Sequence, residues 1–257
     1  QKTILLAGSF TFAFLFGEMI HEFGHYFSHL AYGNANVGVY LNPFGSSKIL
    51  GVTSLPLIQM GVTSAAGPLT NLCLGVVTSA LLWRFRRATL FPLLLWGPVA
   101  MIQEGVNFSF GLLTPGGDAQ WISTLGISQP TLVIAGSILI MASLVILSIL
   151  LSSIAVERES SRLRFFLMIL LGMCSLMLIR FAYTALNNPA SIMEDLVPLV
   201  FSLILAVIIV LIQPIVVKGL NKNQASQNLN LTQGGIITAV VLGSGLFIFQ
   251  IFYSFIN

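Results

Sequence analysis

Residues 17 to 29 read GEMIHEFGHYFSH, and the reading of this stretch decides what the rest of the chain is. All three histidines of the 257 residues, His21, His25 and His29, fall inside it. It lies in an apolar run from about residue 4 to 31, long enough to cross a bilayer as a helix. A helix turns every 3.6 residues, so His21 and His25 leave one face with their imidazoles close enough to share a zinc ion. Glu22 is set to reach a water on that metal, which is what a His-Glu-x-x-His pattern supplies to metal-dependent hydrolysis. His29 shares the face further along and is expected to be a hydrogen-bonding or interfacial residue, not a ligand. Glu18, one turn earlier, is expected to pair with a histidine or a backbone group, as partners of ligating imidazoles commonly do.

Composition places this helix in a membrane. Hydrophobic residues make up 56% of the chain, charged residues 7%, and the mean hydropathy is +0.95, against roughly 25% charged residues in a soluble domain. Cys73 and Cys174 both lie in apolar runs, which argues against a disulfide framework or a thiolate metal cluster. Stretches long enough to span occur at about residues 4–31, 61–83, 89–113, 131–155, 164–187, 196–217 and 234–256. The expected fold class is therefore an all-α polytopic membrane protein of about seven transmembrane helices in a lipid bilayer. Residues 4 to 16 resemble a signal-peptide core, but the run continues without a cleavage-like site. The first residue is Gln1, so an upstream piece is expected. No repeat is visible, and the polar stretch from 218 to 235 is too short to fold alone.

Loop charges set an orientation, because cytoplasmic loops carry the excess of Lys and Arg. Lys2, the loop with Arg84, Arg86 and Arg87, that with Arg158, Arg162 and Arg164, and that with Lys218 and Lys222 alternate onto one side, nine of the eleven basic residues. The amino terminus is expected in the cytoplasm, residues 32 to 60 outside, and the chain in a plasma (inner) membrane. The net charge of +3 reflects this sorting and implies no nucleic-acid partner.

Residues 32 to 60 alternate at Val37, Val39 and Leu41 and break at Asn42-Pro43, Phe44-Gly45 and Leu55-Pro56. This suggests a short β-hairpin or re-entrant element, with an ordinary external loop as the rival. Non-helical backbone survives at membrane depth only when buried in protein or lining a wet cavity, and such an element could offer an edge to an extended segment. Glu18, Glu22, Glu104 and Asp118 lie in or at the ends of the first and third spans, where a carboxylate faces a cavity, a partner or a metal. A hydrolytic zinc site needs a third protein ligand, and only Asp118, after the turn Thr114-Pro115-Gly116-Gly117, is set in a local context suited to it. Glu104 and Asn107 share a helix face, as polar glue between helices or as support or substrate contact near the metal.

The His21 to His25 pattern, the run Ala66-Gly67-Pro68-Leu69-Thr70-Asn71 opening the second span and the turn Pro115-Gly116-Gly117-Asp118, in that order, resemble the three motifs of the site-2 protease family of intramembrane zinc proteases. The likeness covers about residues 10 to 125. It implies a three-helix zinc protease core, His21, His25 and Asp118 as Zn2+ ligands, Glu22 as general base and acid, and a packing or substrate-contacting role for Asn71. It also implies a membrane protein substrate cut within or near the bilayer. The family's third motif places an Asn about eight residues before the Asp; here Phe110 stands there and Asn107 is the nearest Asn upstream. A metalloprotease core over residues 1–125 is thus expected, followed by a four-helix region, 126–257, of unknown role. Substrate is expected to enter between the turn at Gly67-Pro68 and the segment 32–60, and Gly67 and Gly75 read as close-packing positions. A membrane metal-ion carrier and a catalytically inactive membrane-protein-binding relative are the alternatives.

Overall fold

The computed structural model describes residues 1–44, 47–52, 54–85, 87–111, 117–155, 162–187, 192–219 and 233–256. Helix α1 runs from Lys2 to Ala31 and is followed by two short strands, β1 (Gly38–Tyr40) and β2 (Lys48–Leu50). Then come α2 (Leu57–Leu82), α3 (Phe91–Phe110), the short α4 (Asp118–Ile122), α5 (Gln129–Ala155), α6 (Arg162–Asn187), α7 (Ile192–Gly219) and α8 (Gln233–Ile256). Among the described residues seven helices are long and apolar enough to cross a membrane. The chain is a multi-pass membrane protein, with spans within a few residues of those read from hydropathy. Arg86, Arg158, Lys222 and the turn residues 114 to 116 lie outside the described residues.

Two sequence expectations are corrected. Helix α2 starts at Leu57, so the Ala66 to Asn71 run lies in its middle, not at the opening of the span. Gly67 and Pro68 are buried inside that continuous helix and form no turn through which a substrate could pass. Pro68 lacks an N–H for the preceding turn and its ring crowds that turn, yet the helix continues, as membrane helices do when neighbours support the backbone.

Strands β1 and β2 pair antiparallel with Gly38 opposite Leu50, Val39 opposite Ile49 and Tyr40 opposite Lys48. The period of two read in the sequence is the inward face, for Val37, Val39 and Leu41 are all buried.

Inside lipid, helices gain little from covering apolar surface, so close approach and polar contacts decide packing. Helices α1, α3, α5, α7 and α6 pack in a ring in that order, α6 closing back on α1. Leu5, Phe91, Leu147, Ile169 and Ile209, from these five helices, belong to one buried cluster, so the core runs across residue 125 without a break. Helix α3 meets α5 where a Cβ on Gly105 would lie 2.8 Å from the Gly136 carbonyl oxygen. Helix α2 flanks α1 and α3 and leaves Leu69, Leu74, Val77 and Leu81 exposed to the bilayer.

One buried ion pair ties the segment after α1 to the bundle. Arg180 of α6 donates from Nη2 to Glu18 Oε2 at 2.6 Å and from Nε to the Pro43 carbonyl at 2.8 Å. Glu18 Oε1 accepts the Ser47 backbone N–H at 3.2 Å. The guanidinium also lies over the Phe14 ring at 5.0 Å, and Phe44 stacks on Tyr183 at 4.1 Å. Breaking one side of a buried pair strands the other charge. Arg180→Met and Glu18→Met are each expected to destabilise the protein by about 3–5 kcal/mol, with the double variant losing much less than their sum. Unfolding of the four proteins in detergent measures this, and additive losses would mean that the pair contributes no coupling.

Candidate metal centre

His21 and His25 project from one face of α1 because they are separated by one turn, and the structure brings Asp118, the first residue of α4, against both. One donor atom from each of the three residues lies within 4.8 Å of the others. His21 Nε2 is 2.9 Å from His25 Nε2 and 3.0 Å from Asp118 Oδ2, and His25 Nε2 is 3.4 Å from Asp118 Oδ1. A tetrahedral cation with bonds of about 2.1 Å sets its ligand atoms roughly 3.3 Å apart. The observed separations of 2.9–3.4 Å lie near that spacing, with Asp118 facing the two rings through different oxygens.

The second nitrogen of each ring decides what the first has free. His25 Nδ1 sits 2.7 Å from the Thr63 carbonyl, which only accepts, so Nδ1 carries the proton. His21 Nδ1 faces Glu104 Oε1 at 3.0 Å and is a donor for the same reason. In neutral imidazoles both Nε2 atoms then present lone pairs to one another. Asp118 brings a carboxylate to the same point as a third donor. Three electron-pair donors converging in this way form a group that could hold a cation.

The second layer fixes these orientations. Glu104, 2% exposed, accepts from Asn71 Nδ2 at 2.7 Å as well as from His21. Asn71 cannot rotate, because its Oδ1 takes the Trp96 indole N–H at 3.0 Å and an indole only donates. Asn107 Nδ2 donates to Asp118 Oδ2 at 3.1 Å and, more weakly, to Glu104 Oε2 at 3.4 Å. Helices α1 and α2 meet closely beside His25: a Cβ on Gly67 would fall 2.5 Å from its Cε1, and one on Gly24 would fall 2.6 Å from the Ala66 carbonyl oxygen.

Glu22, 7% exposed, lines the same cavity as His21, Glu104 and Asn107. Asn71 is fully buried, its amide held between Glu104 and Trp96. Glu18 engages a backbone group, the Ser47 N–H, together with Arg180, and supports the segment after α1 instead of an imidazole. His29 is buried, and its Nδ1 has no hydrogen-bond partner among the described residues. Sequence reasoning missed the Thr63 carbonyl and Trp96, neither of which carries a motif. It also missed Arg180, for which a signal existed: an intramembrane cation and an intramembrane acid each needed a partner.

Because the orienting contacts set metal affinity, Glu104→Ala is expected to weaken Zn2+ binding about 10–100-fold. Gly67→Ala is expected to weaken it at least as much by displacing the His25 ring, whereas Cys73→Ser, at an exposed cysteine, leaves it unchanged. Competition against a chromophoric chelator reads all three, and unaltered affinity in Glu104→Ala would remove Glu104 from the site. Comparison with known proteins finds no matching family model, no matching curated protein and no matching solved structure, so a functional reading rests on the residues themselves.

Proposed function

We propose that this chain is an intramembrane zinc metalloendopeptidase that hydrolyses a peptide bond in or near the transmembrane segment of another membrane protein. The observation that carries the reading is the convergence of His21 Nε2, His25 Nε2 and the Asp118 carboxylate while the other nitrogen of each ring is held by an acceptor. Two imidazoles and one carboxylate are a donor set that suits zinc, and three protein ligands leave a position for water or substrate, the mark of a catalytic rather than a structural site. The resemblance of residues 10 to 125 to the site-2 protease family points the same way.

Bound zinc would supply a Lewis acid that polarises the scissile carbonyl and acidifies a water. Glu22 takes that water's proton and delivers it to the leaving amine. Asn107 and Glu104 keep the Asp118 carboxylate and the His21 ring aimed at one point. A peptide bond in a regular helix is shielded by its own hydrogen bonds, so the target segment must unwind locally before it is cut.

The segment after α1 supports a re-entrant element beside the site, since its Asn42 and Pro43 carbonyls are held by Arg180 of a membrane helix. With the entry at Gly67-Pro68 discarded, the edge of the β1–β2 ribbon is the place for an unwound segment to add as a strand. The loop charges put the amino terminus in the cytoplasm and the metal in the outer half of the bilayer.

Detergent-purified wild type is expected to hold about one zinc per chain, Asp118→Ala to lose it and Glu22→Gln to keep it. In cells that produce single-pass membrane proteins as candidate substrates, Glu22→Gln lowers cleavage by about 10²–10⁴-fold and accumulates uncut substrate. A wild type without zinc after metal repletion, or cleavage unchanged in Glu22→Gln, would sink the proposal.

A further inference from the structure

Contacts between helices fix the depth of the metal centre, with α1 as the ruler. Gly8 lies against Ala239 and the Leu15 carbonyl takes the Gln250 amide, so α8 runs parallel to α1. Helix α3 is parallel as well, with Phe14 beside Gln103 and His21 beside Glu104. Helix α2 runs the other way, with Gly17 beside Asn71, Gly24 beside Ala66 and Ser28 beside Thr63. Counting back along α3 from Glu104 to Ala88, and along α8 from Ala239 to Gly235, which abuts Ala88, reaches the same level on α1, at Ile4 or Leu5.

Exposed apolar side chains bound the bilayer on this ruler. They begin with Ile4, Leu81 and Phe85, beside Lys2, Arg84 and Arg87, and end with Phe27, Leu57 and Ile58. On α1 this band covers about 40 Å, the thickness of a bilayer with its interfaces. Its middle falls at Gly17 and Asn71. His21 and His25 straddle a level about 9 Å beyond that middle, so the metal centre lies about 6 Å, or one helical turn, inside the hydrocarbon edge that faces away from the basic residues. The segment after α1 enters from that same edge, and its Asn42, Pro43 and Ser47 reach down to the level of Glu18. A target strand added to the β1–β2 edge can stay unwound alongside this segment; deeper in, its neighbours are helices whose backbone groups are already paired, and it must keep its own hydrogen bonds. Unwinding is also least costly at a helix end, where the last turn lacks internal partners and water is near.

We propose that the substrates are membrane proteins whose transmembrane segment unwinds at its outer end, and that the bond is cut about one helical turn inside the bilayer edge opposite Lys2, Arg84 and Arg87. The cut rests on the protease reading; the depth of the metal centre rests on the contacts between helices and is tested separately.

For the depth, single cysteines at the lipid-facing positions Val62, Leu69, Leu74 and Leu81 of α2 are introduced into the full chain carrying Cys73→Ser and Cys174→Ala, spin-labelled and reconstituted in phosphatidylethanolamine and phosphatidylglycerol vesicles. Relaxation by oxygen relative to a water-soluble nickel chelate peaks at the bilayer centre. The peak is expected at Leu69 and Leu74, with lower and similar values at Val62 and Leu81; a peak at Val62, beside the Thr63 carbonyl that holds His25, puts the metal at mid-membrane and overturns the proposal. For the cut, model single-pass proteins with a leucine-alanine span of about 21 residues carry one Gly-Pro pair at the outer end, the centre or the inner end, and are produced in cells with the wild type or with Glu22→Gln. The outer-end protein is expected to be cut about tenfold or more over the other two, and not with Glu22→Gln. Equal or greater cutting at the centre or the inner end overturns the proposal while the protease reading stands. No cutting of any of the three, with the relaxation peak at Leu69 and Leu74, sinks the protease reading and the proposed cut with it, and leaves the depth of the metal centre intact.

Discussion

A carboxylate among membrane helices has to be matched, and Glu104 is matched by three nitrogen donors, from His21, Asn71 and Asn107. Those donors come from α1, α2 and α3, so one acid joins the three helices at the level of the metal centre. The contact chain also has a direction. Trp96 can only donate, which turns the Asn71 amide so that its nitrogen faces Glu104; Glu104 can only accept, which places the His21 proton on Nδ1 and leaves Nε2 bare. Glu104 thereby decides which nitrogen of His21 is left bare, and Trp96, through Asn71, helps hold Glu104 in place.

The same requirement organises the rest of α1. Three of its polar side chains climb the helix in steps of three or four residues, and each of the three is matched by a different neighbour: Glu18 by Arg180 of α6, His21 by Glu104 of α3 and His25 by the Thr63 carbonyl of α2. A helix used on so many sides must be central, and α1 packs against α2, α3, α6 and α8. The last four helices are therefore more than filler. Helix α6 holds the Asn42–Pro43 backbone through Arg180, and α6 and α7 supply the far wall of the cavity into which Glu22 faces.

Hydropathy made the spans legible, because seven apolar runs separated by polar breaks leave a bilayer protein few alternatives. His21 and His25 were legible because helical spacing is fixed, and Asp118 because few acids stood near membrane depth. The pairing of Glu18 was not, since periodicity says which face a side chain leaves but not which helix will lie against it. Gly67-Pro68 reads as a turn in any soluble sequence; inside lipid the helix continues, because breaking it would expose backbone groups that nothing there can satisfy. The burial of Asn71 was equally hidden, as the same amide could have faced a substrate had Trp96 stood elsewhere.

The contact between Asn107 and Asp118 shows what the spacing of a motif stands for. These residues are eleven positions apart, further than the family pattern asks, and still the amide nitrogen lies 3.1 Å from the carboxylate. It does so because α3 ends at Phe110 and the chain comes back to start α4 at Asp118, packed on α2 and α3. The constraint is on where the carboxylate arrives, not on how many residues bring it there. A carboxylate facing two imidazole lone pairs would otherwise turn away from them, and the Asn107 N–H, at the end of a helix anchored through Glu104, keeps Oδ2 in place. The His21, His25 and Asp118 group is preorganised by hydrogen bonds from residues outside it.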